Sequence, residues 1–165
     1  MEIITLIGKG DSGKSTVLKK LIAELSGKEG KNLIDVPAAS RCKIFISPKK
    51  KEKLKKETGD ALVKVKYKSY TIGILSAGDN EKEIKPRFEL LKDCDLFICP
   101  SRPGGSSFRY INELEKKYNV TRLYAIHLSG NEEDWKYNVL IEERNKLSLN
   151  EIKECIKNKL EAFKK

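Results

Sequence analysis

Residues Gly8–Ser15 read G-K-G-D-S-G-K-S, which fits the spacing G-x-x-x-x-G-K-[ST] throughout. Glycines at such intervals let a chain curl so that successive N–H groups converge on one anion. A helix starting immediately afterwards adds the positive end of its dipole. Gly8, Gly10, Asp11, Ser12, Gly13, Lys14, Ser15 and Thr16 are therefore the expected contacts of a phosphate chain. Within this set Lys14 suits the β- and γ-phosphates, and the Ser15 hydroxyl suits a Mg²⁺ ion bound with them. The flanks supply the elements that must hold such a loop. Ile3, Ile4, Leu6 and Ile7 form an apolar run long enough for a buried strand. Val17, Leu18, Leu21, Ile22 and Leu25 then recur at helical spacing.

With strand, loop and helix in that order, the N-terminal region resembles the P-loop NTPase superfamily. The resemblance implies a mostly parallel sheet flanked by helices, with Mg²⁺-ATP, or GTP, at the carboxyl ends of the strands. It also implies an acidic metal-holding residue at the end of a nearby strand. Small GTPases carry D-x-x-G there, and here Leu75 occupies the aspartate position ahead of Gly78. Asp79 is the remaining candidate, to hold the metal through water or to orient the attacking group; the alternative is a helix N-cap before Asn80-Glu81. Kinases of the superfamily close arginines over the transferred phosphate from a mobile lid. Arg102, which follows a strand and precedes a glycine-serine stretch, is the candidate for that role, whereas Arg109 reads as helix surface.

Asp35 and Arg41 bracket a loop where kinases place an acceptor and GTPases a switch, with a polar surface turn as the alternative. Asn131-Glu132-Glu133-Asp134 shares the ends of the guanine-reading pattern N-K-x-D but lacks its lysine, which favours ATP. His127 reads as a strand-end residue, and Trp135 and Tyr137 as core or as the wall of a base pocket.

The remaining pattern predicts an α/β fold in a single domain over residues 1–165. Strands are expected at 33–36, 42–47, 61–67, 70–75, 96–99 and 123–126, with helices beginning near 81, 108 and 148. The alternation of 61–67 and the turn at Lys68-Ser69 predict an antiparallel hairpin at the sheet edge. Ser148 with Glu151 has the form of a capping box opening the last helix, whose stripe is Leu149, Ile152, Ile156, Leu160 and Phe163. Residues 48–60, in which Lys49–Glu57 is almost wholly charged, read as a lysine-rich surface insertion.

Composition limits the function classes. One histidine and four cysteines without a C-x-x-C pair provide no zinc constellation, and the thiols read as reduced core residues. The N-terminus enters a strand at once and no apolar run approaches a membrane span, so a cytoplasmic protein is expected. A net charge of +10 invites a nucleic-acid or protein contact through Lys49–Lys56, although such a run also suits a solvated face. The leading expectation is a small Mg²⁺-ATP-binding NTPase that passes the γ-phosphoryl group to water or a small acceptor. A metabolite kinase, a GTPase-like switch and an ATP-regulated nucleic-acid-binding protein are the alternatives.

Overall fold

The computed structural model describes residues 1–26, 33–34, 60–128 and 135–162. Ten elements follow one another: β1 (Glu2–Ile7), α1 (Lys14–Leu25), β2 (Leu33–Ile34), β3 (Leu62–Tyr67), β4 (Tyr70–Leu75), α2 (Glu81–Leu91), β5 (Leu96–Ser101), α3 (Gly105–Glu115), β6 (Asn119–Tyr124) and α4 (Trp135–Ala162). The strands form one six-stranded sheet in the order β2-β3-β4-β5-β1-β6. β4, β5, β1 and β6 are parallel, while β3 runs antiparallel to both of its neighbours. This is an α/β fold with a mostly parallel sheet flanked by helices.

Alternation along the strands divides the core into two layers. Ile4, Leu6, Ile72, Ile74, Leu96 and Ile98 pack with Val17, Leu18, Leu21 and Ile22 of α1 and with Leu149, Ile152, Ile156 and Leu160 of α4. Ile3, Leu75, Phe97 and Cys99 turn to the other face, against Ile84, Phe88 and Leu91 of α2 and Tyr110, Ile111 and Leu114 of α3. Strands covered on both faces read as continuous apolar runs, which is why β1, late β4 and β5 stand out in the sequence. Phe88 sits edge-on to Phe97 at 5.3 Å between centroids and 77° between planes, joining α2 to β5.

Several boundaries differ from the sequence expectation, each for a physical reason. The hairpin forms through Lys68-Ser69, with Lys68 left-handed at φ 56°, but β2 pairs outside β3, so the hairpin is not the sheet edge. The edge on the other side is β6, which spans 119–124 rather than 123–126; Asn119, Thr121 and Arg122 disguise it as a loop. Pro100 and Ser101 belong to β5, opposite Leu6 and Ile7 of β1. α3 starts at Gly105, before the expected apolar stripe.

Ser148 does not open the last helix. α4 runs unbroken from Trp135, and Ser148 is a buried interior residue. Residues 135–147 contain neither glycine nor proline, and their inward face continues through polar Arg144 and Asn145, which apolar periodicity cannot register. The expected strand at 42–47, the loop residues Asp35 and Arg41, Cys42, the lysine segment 49–56, Asn131–Asp134 and Phe163 lie outside the described residues. No described helix is long and apolar enough to cross a membrane.

Candidate functional site

Parallel β1, β4, β5 and β6 bring their carboxyl ends to one side of the sheet, where open α/β folds place ligands. Residues 8–13 join β1 to α1 on that side. Gly13 is the N-cap of α1 at φ 76°, ψ 9°, and no side chain caps the helix. The N–H groups of the first turn have no carbonyl one turn behind them, so they remain available as a convergent donor set. At φ 76° any L side chain would be strained. A Cβ there would also lie 2.4 Å from both Arg144 Nη2 and Asn145 Oδ1.

Lys14 folds back over its own loop. Its Nζ donates to the carbonyl oxygens of Gly8 (2.8 Å) and Lys9 (2.7 Å) and to Ser12 Oγ (3.4 Å). The residue is only 6% exposed. Burial pushes the ammonium pKa below its ordinary value; Asp79 and Asp11 pull it upward, while Arg102 pushes it further down. Ser15 Oγ donates to the carbonyl of Ser76 (2.9 Å), which ties the start of α1 to the end of β4. Having spent its hydrogen on a protein acceptor, this hydroxyl keeps oxygen lone pairs for a cation.

β5 lies between β1 and β4, so the residue at its end stands between the glycine loop and the β4 turn. That residue is Arg102. Its Nε donates to Asp79 Oδ1 (2.8 Å) and its Nη2 to Asp79 Oδ2 (2.5 Å), a two-pronged pair. Asp79 in turn holds the guanidinium more firmly protonated than usual. Arg102 and Asp79 complete a cavity of about 360 Å³ with Gly10, Asp11, Ser12, Gly13, Lys14, Ser15 and Thr16. Loop amides and two cations around such a space suit a phosphate-sized anion.

The structure thus gathers the expected loop residues with Asp79 and Arg102. Gly8 sits beneath them, donating its N–H to the carbonyl of Ser101. Asp79 is not the N-cap of α2; Asn80 is, accepting from the Glu83 N–H at 3.1 Å. The expected flexible lid after Arg102 is largely the first turn of α3: Ser107 Oγ accepts the Arg102 N–H, and Ser106 Oγ accepts that of Glu81. Leu75 is fully buried in the core and offers no polar group where GTPases carry aspartate. Arg109 and His127 are exposed, and neither lines this cavity.

Sequence reasoning missed Arg144 and Asn145, which α4 presses against Gly13. Their only signal was position, four residues ahead of Ser148 and Leu149 on one helical face. Cys94 and Cys99 are free and buried, and burial pushes their thiols up to about 12, away from the thiolate form. A larger cavity, about 670 Å³, lies between β6 and α4, where Glu2 already pairs with Lys159 and the described lining comes from strands and a helix. Among the described residues no group of three or more His, Cys, Asp or Glu could hold a metal. No family model, curated protein or solved structure matches the chain.

Proposed function

We propose that the chain binds a nucleoside triphosphate, ATP with Mg²⁺, through the 8–16 loop and transfers its γ-phosphoryl group to water or a small acceptor. The observation that carries this reading is the Lys14–Arg102 cavity: a G-x-x-x-x-G-K-S loop at the carboxyl end of an interior parallel strand, opening a helix whose N-terminus no side chain caps. Of the metal-facing candidates, Ser15 fits Mg²⁺ through its free lone pairs, whereas both Asp79 oxygens are engaged by Arg102. When bound, the ion would neutralise charge on the β- and γ-phosphates.

The chain's own residues do the rest. Loop amides hold the phosphates, and Lys14 exchanges its carbonyl partners for phosphate oxygens. Arg102 offers a planar fork to charge that spreads over the γ-phosphoryl oxygens as the bond to the β-phosphate oxygen lengthens. The acceptor oxygen forms the new bond to phosphorus, the bridging bond breaks so that the nucleoside diphosphate leaves with its electron pair, and the acceptor's proton passes to a phosphate oxygen or to solvent.

Calorimetric titration with Mg²⁺-ATP tests the reading. Lys14→Ala should lose binding by at least about tenfold while keeping its fold, since a charge-assisted contact contributes roughly 1.5–3 kcal/mol. Unchanged affinity in a folded variant refutes the assignment of the loop.

A further inference from the structure

An anion site has little use for a carboxylate at its mouth, yet Asp79 lines the cavity. Its pairing with Arg102 is not what holds the surrounding chain. The Asp79 N–H is bound by Glu83 Oε2 (2.9 Å), the Arg102 N–H by Ser107 Oγ (3.1 Å), and Gly78 is packed against Pro100. The side chains of Arg102 and Asp79 are 37% and 53% exposed, so the pair stands where solvent screens it and an incoming anion can reach it. It occupies the Nε–Nη2 edge of the guanidinium, one of the edges that can grip two phosphate oxygens. Meanwhile Nη1 lies against the loop, 2.7 Å from where a Cβ on Gly10 would stand. The arginine is therefore already over the cradle while one of its two-pronged edges is held by a carboxylate.

We propose that Asp79 is a built-in competitor for the phosphate: it holds the edge of Arg102 that a terminal phosphate takes on binding. This rests on the nucleotide-binding reading of the loop. Entry of a polyphosphate exchanges one pair of charge-assisted hydrogen bonds for another and frees the Asp79 carboxylate into the cavity that Ser15 also lines. Binding and the release of that carboxylate are thereby one event.

Titration calorimetry with inorganic tripolyphosphate, in EDTA and low salt, separates the possibilities because neither base nor metal contributes. The proteins are wild type, Asp79→Asn, Arg102→Gln, the double variant and Lys14→Ala, each checked for folding by circular dichroism. Asp79→Asn should tighten binding roughly three- to tenfold, and Arg102→Gln should weaken it. In the Arg102→Gln background, Asp79→Asn should give at most about half of that gain on a logarithmic scale. An equal gain in both backgrounds would reduce Asp79 to a generic repelling charge and overturn the proposal. Weakening by Asp79→Asn would overturn it too, making Asp79 a support for the arginine. If Lys14→Ala loses binding while the Asp79–Arg102 cycle is additive, only the competitor role falls. If Lys14→Ala binds like wild type, or wild type does not bind, the nucleotide reading falls and the competitor role with it.

Discussion

Replacing Gly78 by alanine should disturb fold and site together. Gly78 is buried in the turn that leaves β4, and an added Cβ would lie 2.1 Å from the Pro100 carbonyl oxygen and 2.8 Å from Pro100 Cγ. Ordinary contact begins at 3.4 Å, so the two segments must part by roughly 1.3 Å. Pro100 cannot yield easily, because β5 is held between β1 and β4. The 76–79 turn must move instead, and it carries the Ser76 carbonyl that accepts from Ser15 and the Asp79 that meets Arg102. Overpacking of this kind costs about 1–3 kcal/mol, and a weakened Ser15–Ser76 hydrogen bond adds about 0.5–1.5 kcal/mol. The sum, roughly 1.5–4.5 kcal/mol, corresponds to a fall in Tm of about 3–18 °C for a chain of this size. Urea and thermal unfolding followed by circular dichroism would measure it. Gly104→Ala is the internal control, since its Cβ would meet nothing within 4 Å and its backbone is extended. A Gly78→Ala protein within about 0.5 kcal/mol of wild type would refute the reasoning, because the β4 turn would then be free to leave β5.

Two further perturbations address the charges of the cradle. Burial lowers the Lys14 pKa, and a bound anion raises it again, so polyphosphate affinity should decline as pH rises through the lowered value, before the ordinary 10.5 is reached. Titrations from neutral to pH 10 check this, and a Lys14→Ala profile that shows the same decline would assign it elsewhere. The sign for folding is opposite: the unfolded chain holds the Lys14 proton more tightly, so this destabilising contribution is present at neutral pH and fades between the lowered pKa and 10.5. Asp11 is exposed in the loop at φ 56°, a conformation asparagine also tolerates, so Asp11→Asn removes charge without backbone strain. Tripolyphosphate should then bind about two- to fivefold more tightly at low salt, with the gain shrinking as salt rises; no gain at low salt would place Asp11 away from the anion.

Local features of the fold were legible where short-range chemistry decides them. The β1–loop–α1 order follows from an apolar run, glycine spacing and a 3.6-residue stripe, and the β3–β4 hairpin from alternation around Lys68-Ser69. What could not be read is which strands become neighbours. Nothing in the Leu96–Ser101 run says that it inserts between β1 and β4, yet that insertion is what sets Arg102 opposite Asp79. Polar stretches hid the remainder: β6 is an edge strand rich in Asn, Thr and Arg, and α4 turns Arg144, Asn145 and Ser148 inward before its apolar stripe begins. Burial of polar groups is a tertiary fact, invisible to a hydrophobic period.

The position of β1 in the sheet has a consequence for how the chain is made. β1 pairs with β5 and β6, so roughly 90 residues separate Ile7 from its β5 partner, Ser101. During synthesis at about 5–20 residues per second, the glycine loop would wait roughly 5–20 s for the strand that holds its flank in place. The β3–β4 hairpin, by contrast, needs only its own two-residue turn. Long-range pairing is slow because loop closure precedes the contacts that offset it. Residues early in the sequence are thus among the last to find their geometry, and the glycine loop is held in place only after β5 and β6 have been translated.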